Sequence, residues 1–345
     1  MSENEAPGWD AITAAAARVH GKQQPLHWAP QLPAALGGPD PLNGISVYRA
    51  DGPAHWHYVT YGFSELYAKE SDDTAVSGFG FELTFRLTRG AEDQPSPWPL
   101  NFLQNLARYV FKTGNIFEPG HHMHLNGPIA LGQPTAIVAV MMVLDPQLGI
   151  VETPNGRLAF VQVVGITKDE WEASIAWDTH GMAKLMAARD PLLITDLART
   201  SHLADTGFAY DAAAGTERDG SSTSALFSGG HRWHDTSGTL HLTVGALIVS
   251  QLKTLLRYRI PYGRPLAIVG NTDSVRFEPA NTCSWEIGDK SLTVRLTSEA
   301  ARELSASLAP KKGLYSTARF PGLQLTVEPS SIKDAAGKVV ETIGE

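Results

Sequence analysis

The stretch SGFGFELTFRL, residues 77–87, alternates without interruption. Phe79, Phe81, Leu83, Phe85 and Leu87 fall on one side of an extended chain, and Gly78, Gly80, Glu82, Thr84 and Arg86 on the other. A period of two rules out helix and predicts a half-buried β-strand, in which the paired glycines leave room for another backbone to approach the polar face. Glu82 and Arg86, with Thr84 between them, admit two readings: a catalytic acid with its partner, or an ordinary same-face ion pair worth ~0.2–1 kcal/mol.

Working outward, Pro97-Trp98-Pro99 opens a segment in which Leu103, Leu106, Ala107 and Val110 recur at helical spacing, so residues 99–112 are expected to form an amphipathic helix. The apolar runs at 136–144 and 158–166 predict buried strands. Thr167 with Glu170 three positions on is a capping box for a helix through Trp177, followed by a helix at 182–188 and a strand at 192–197. Upstream, the alanine-rich stretch 9–19 predicts a first helix, and Gly37-Gly38-Pro39-Asp40-Pro41 a sharp turn. Residues 211–230, DAAAGTERDGSSTSALFSGG, are small, polar and without a period able to bury a face, and predict a flexible linker. Strands follow at 240–249, 265–270 and 291–296, a helix from Thr297 or Ser298, and a strand at 323–327. The expected fold class is therefore mixed α/β, of the α+β type, with domains at 1–210 and 231–345 joined through 211–230.

Composition narrows the function. The 345 residues are 43% apolar and 19% charged, enough for two cores. With a net charge of −8 and no basic run, nucleic acid is not an expected partner. The single cysteine, Cys283, cannot form an internal disulfide and suits a reducing compartment. MSENEAPGWD lacks the apolar core of a secretory signal, and no run reaches the ~18 apolar residues of a membrane span. A cytoplasmic chain without membrane contact is expected, and its acidic surface permits a monomer.

Signatures of nucleotide binding, of serine nucleophiles and of cysteine-built zinc sites are absent from the sequence. Histidines remain: His55 and His57, then EPGHHMHLNGP (118–128), then His231, His234 and His241. In extended chain His122 and His124 share a side, as do His55 and His57, so two H-x-H pairs are weak candidates for one metal site and a histidine-ligated metal enzyme. The competing reading is loop histidines that are solvated or bonded to backbone. Trp28, Trp56, Trp98, Trp171 and Trp177 line either a binding surface or, more commonly, the core. Arg257 and Arg259, expected on one side of a strand, either clamp a partner carboxylate or solvate an edge.

LGGPDPL (36–42), VYR (47–49), HWHYVTYGFSELY (55–67), SGFGFELTFRL (77–87), WP (98–99), LARYVF (106–111), TP (153–154) and LITDL (193–197) together resemble, in order and spacing, the N-terminal domain of the suppressor of fused family. RIPYGRPL (259–266), KSLTVRLTSE (290–299) and the strand near Leu323 resemble its C-terminal domain more weakly. The resemblance implies a non-enzymatic binding protein without cofactors, in which two α/β domains close over an extended peptide that adds as a strand in the cleft between them. It places the groove tyrosine at Tyr109 and puts His121 where animal members carry an acidic residue that pairs with a histidine of the bound peptide. Ala35 stands where those members have tryptophan, and their long C-terminal insertion is missing. The chain thus resembles compact bacterial members of the family, proposed as cytoplasmic immunity proteins against toxins; a general intracellular scaffold is the alternative. Tyr109, Phe117, His121, Arg257 and Arg259 are the expected partner-binding residues.

Overall fold

The computed structural model describes residues 5–32, 36–333 and 337–345, so Ala35 lies outside the described residues. The chain forms two compact units, Met1–Trp171 with Thr179–Ala209, and Glu172–Asp178 with Tyr210–Glu345. Both are mixed α/β, as the sequence led us to expect.

In the first unit, α1 (Pro7–His20) precedes strands β1 (Leu26–Trp28), β2 (Gly44–Asp51), β3 (Ala54–Tyr61) and β4 (Val76–Thr88). Then come α2 (Trp98–Thr113), β5 (His122–His124), β6 (Ile137–Leu144), β7 (Ile150–Thr153), β8 (Gly156–Thr167), α3 (Lys168–Ala176), which runs into the second unit, and α4 (Thr179–Ala187). One eight-stranded sheet carries them in the order β1-β2-β3-β4-β8-β6-β5, with β7 paired to β8. Only β4 and β8 run parallel.

β4 is the strand its alternation predicted, but it is not half-buried. Phe81, Leu83, Phe85 and Leu87 pack with Leu103, Leu106, Ala107 and Val110 of α2. Each large side chain so buried contributes ~1.5–3 kcal/mol. The other side of the sheet is covered by α1, whose Ile12, Ala15 and Ala16 meet Tyr48, Val59, Tyr61, Leu158 and Phe160. Glu82, Thr84 and Arg86 are consequently sealed inside, each at 0% exposure. The expected close approach does occur at Gly78: at φ +56°, a Cβ there would stand 2.6 Å from the Phe63 carbonyl oxygen.

The second unit takes up α5 (Thr206–Asp219) from Tyr210 onward. β9 (Ala225–Phe227), β10 (Arg232–Thr236), β11 (Thr239–Gly245), α6 (Val249–Arg259), β12 (Leu266–Val269), β13 (Ser274–Pro279), β14 (Ser284–Ile287) and β15 (Ser291–Leu296) follow. α7 (Ser298–Ser307), β16 (Gly313–Thr317), β17 (Phe320–Glu328), β18 (Ser330–Lys333) and β19 (Val339–Ile343) complete it. Its sheets run β10-β11-β17-β16 and β14-β15-β13-β12-β9, with β18 and β19 as a separate pair.

Three expectations need correction. The 211–230 segment is not an irregular linker: it holds most of α5 and all of β9. The buried positions of α5, Phe208, Ala212, Gly215 and Thr216, have helical spacing, but mostly small side chains supply it. Arg257 and Arg259 end helix α6, whose inner face carries Leu252, Leu255 and Leu256, and are not on a strand. Residues 192–197 make only an isolated bridge from Thr195 to Leu87. There the Asp190 carboxylate captures the backbone N–H groups of Leu192 and Ile194 and bends the chain, with Leu193 at φ +50°. Among the tryptophans, Trp56 and Trp177 are core, whereas Trp28 is exposed.

Candidate functional site

The polar face of β4 does not pair Glu82 with Arg86. Glu82 accepts hydrogen bonds from Thr60 Oγ1 (2.6 Å), Gly62 N (2.8 Å), Ser64 N (3.0 Å) and Ser64 Oγ (2.7 Å). Burial raises its pKa to about 6, and these donors oppose the rise. Arg86 donates to both carboxylate oxygens of Asp145 (2.6 and 3.1 Å), to Gln147 Oε1 (3.0 Å) and to Gln162 Oε1. Thr84 Oγ1 adds a further bond to Asp145 at 2.8 Å. Burial disfavours the Asp145 carboxylate, but the His57 ring and the Arg86 guanidinium outweigh it and hold its pKa well below the usual range.

His57 Nε2 stands 3.3 Å from Asp145 Oδ2 without the alignment of a hydrogen bond, and His57 Nδ1 lies 2.9 Å from His20 Nε2. A proton on Nε2 avoids setting a lone pair against the carboxylate, so Nδ1 accepts from His20. Burial, then the charge of Arg86, lower His57 to about 3 and His20 to about 4. This sealed network joins β3, β4 and α1. It is a device for fixing strands, since Glu82, Arg86 and Asp145 are all closed off from solvent.

The two H-x-H pairs do not converge. β3 and β5 are separated by β4, β8 and β6, which at ~4.8 Å per strand puts them roughly 19 Å apart. His122 Nδ1 accepts from Trp171 Nε1 at 3.0 Å, and His124 Nδ1 accepts from Asn126 N at 3.0 Å. Burial lowers His122 to about 4. Among the described residues no three His, Cys, Asp or Glu side chains are grouped to hold a metal ion.

The histidine loop leads instead into a sheet margin. Among the described residues β5 is the last strand in its order and pairs only with β6. Before it in the chain, α2 ends at Gly114 in the left-handed region and leaves Tyr109, Phe111 and Ile116 at 40%, 45% and 40% exposure. Phe117 is buried between surface and core: its ring stacks on Tyr109 at 5.8 Å and meets the edge of Phe81 at 6.3 Å. Asn115 Nδ2 donates to Tyr109 Oη at 2.9 Å, fixing the ring. His121 turns back on its own loop, with Nδ1 accepting from Glu118 N at 3.3 Å and Nε2 3.9 Å from Glu118 Oε2. Glu118, which sequence reasoning passed over, therefore supplies an exposed carboxylate beside His121. Its only sequence signal is its place in the same loop.

The expected arginines lie elsewhere. Arg259 is 5% exposed and donates to the carbonyls of Pro265 (2.7 Å) and Ser221 (2.8 Å), with its pKa lowered to about 10 by burial and by Arg264. It holds its own unit together. Arg257 is exposed, 3.2 Å from Glu217, with its guanidinium 5.1 Å from the centre of the Tyr258 ring.

Fold and site together define a mixed α/β scaffold with a short terminal strand that half-exposed aromatic rings precede in the chain. Residues 38–200 match the family model described as suppressor of fused protein. The human and mouse suppressor of fused homologs are each 38% identical over 220 residues, which is 59% of this chain and 45% of theirs. The chain thus spans less than half the length of these curated relatives. The crystal structure of Drosophila suppressor of fused shares the fold at 21% identity, with a TM-score of 0.80 over 94% of this chain and 97% of that one. A chain in the crystal structure of a Sufu–Fu complex matches at 29% identity and a TM-score of 0.57, over 60% of this chain and 98% of its own. Residues 38–200 are thus similar to the suppressor of fused family, whose fold the chain shares.

Proposed function

We propose that this chain is a non-enzymatic protein-binding module that captures an extended segment of a partner along β5. The observation that carries this reading is a terminal strand entered directly from the Glu118–His121 loop, which the Tyr109–Phe117 stack precedes in the chain. A terminal strand is a template for strand addition: main-chain bonds supply affinity, and flanking rings and charges supply selectivity. The match of residues 38–200 to the suppressor of fused model and the likeness to a protein crystallised in a Sufu–Fu complex support it.

In this reading the chain is a compact bacterial member acting in the cytoplasm, and its partner is a toxin that it neutralises. The departure at His121 supports a ligand different from that of the animal proteins, since an imidazole beside a carboxylate recognises another pattern of donors than a carboxylate alone. The test begins with the partner that copurifies from the native cell and is identified as a toxin fragment or not. Against that partner, Tyr109→Ala should weaken binding by ~10-fold or more and His121→Asp should change it by several-fold, the scale of a central interface contact. Amides of residues 121–125 should gain protection from hydrogen exchange. Unchanged affinity in both variants together with unchanged exchange would sink the β5 assignment; a partner that is no toxin would sink only the immunity role.

A further inference from the structure

In the second unit, α5, α6 and α7 border a half-open cavity of about 570 Å3, within the usual range for small-ligand sites. Lys253 and Arg257 line it from α6, one helical turn apart, and Arg302 faces them from α7. Ser305 Oγ donates to the Lys253 carbonyl at 2.8 Å and ties the two helices together behind the cavity. Glu217 is the acidic residue of the lining. It is already occupied, receiving Arg257 at 3.2 Å and the Tyr258 hydroxyl at 2.9 Å, while the Tyr262 hydroxyl donates to its backbone carbonyl at 2.6 Å.

Glu217 therefore neutralises Arg257, and both tyrosine hydroxyl protons are committed. Lys253 and Arg302 stand in no ion pair among the described residues. The cavity thus presents two uncompensated positive charges, in a chain of net charge −8, together with the rings of Tyr258 and Tyr262 and the methyl of Ala306. A carboxylate would offset only one of those charges. A phosphate monoester carries close to two at neutral pH, on three oxygens that suit a guanidinium and an ammonium at once.

We infer that this cavity binds a phosphate monoester, held by Lys253 and Arg302, with its organic part against the tyrosine rings. The site lies outside the β5 margin and does not depend on the function proposed for it. The test is calorimetric titration of the full chain with phenyl phosphate, with a short neutral peptide bearing phosphotyrosine, and with benzoate. Phenyl phosphate should bind and benzoate should bind at least ~10-fold more weakly. Lys253→Ala and Arg302→Ala should each weaken the phosphate probe ~10-fold while leaving the thermal midpoint in place, since both side chains are exposed. Glu217→Gln, which releases Arg257, should tighten it several-fold. Affinity should rise between about pH 5 and pH 7.5 as the phosphate loses its second proton. A free small molecule is the source if phenyl phosphate binds as well as the peptide, and a modified protein if only the peptide binds. The inference is overturned if neither phosphate probe binds at about 10 mM, if benzoate binds equally, or if the two alanine variants bind like the parent.

Discussion

His57 sits between an arginine, a carboxylate and a second histidine, and its charge state follows from that company. In the folded chain its pKa is lowered to about 3 and that of His20 to about 4, whereas in the unfolded chain both return to about 6.5. The unfolded state therefore binds more protons as pH falls below 6.5, and stability declines in that direction. Each group contributes at most ~1.4 kcal/mol per pH unit, and His20, being only part-buried, less. Glu82 acts with the opposite sign. Its folded pKa is raised to about 6, so protonating it favours the folded state between pH 6 and 4.5 and partly offsets the histidines there. We expect urea midpoints to fall from pH 7 to pH 5. In His57→Gln the slope should flatten by about one histidine's share, and an unaltered slope would show that His57 does not titrate on unfolding.

Among the elements, α5 is the one whose burial the sequence concealed. Gly215 lies in mid-helix, where alanine ordinarily gains ~1 kcal/mol. A Cβ there would stand 2.3 Å from Trp177 Cζ2, and that ring is buried and held by its Nε1–H bond to Asp219 at 2.9 Å. Overpacking outweighs propensity, so Gly215→Ala should lose ~1–3 kcal/mol in denaturant unfolding; a stabilised variant would mean that the ring yields. Strands with strict alternation, such as β4 and β15, were legible, as were helices with side-chain caps. Thr167 N donates to Glu170 Oε2 at 2.9 Å, as their spacing implied, and Ala300 N to Thr297 Oγ1 at 3.2 Å, where a helix was expected to open. α6 was missed because Arg259 occupies an inward position where the reading required an apolar residue. The inner polar face of β4 was missed because nothing within the strand tells that α1 will cover it. At the candidate site, Tyr109 and His121 were named from the resemblance alone. The margin itself was not, since β5 is too short for any period to show.

At the scale of the whole molecule, the chain passes between its two units three times, because residues 172–178 belong with 210–345. Within the second unit, Ser221 Oγ donates to the Ile175 carbonyl at 2.6 Å and Ser222 N to the Trp177 carbonyl at 2.7 Å, while Trp177 packs on Gly215. A cut after residue 230, where the sequence suggested a domain might begin, removes all of this together with β9, the parallel neighbour of β12. The fragment 231–345 should therefore lack a cooperative melt and a dispersed amide spectrum, and a fragment that folds like the parent would refute this account of the second unit. The same threading imposes an order on synthesis. As the chain leaves the ribosome, the Trp177 side chain emerges well before Gly215 and Ser221 exist to cover it. For the time taken to translate about forty residues, a few seconds at ~5–20 residues per second, the nascent protein displays an indole that only its own unfinished half can bury, which makes this segment a natural place for a chaperone to attend.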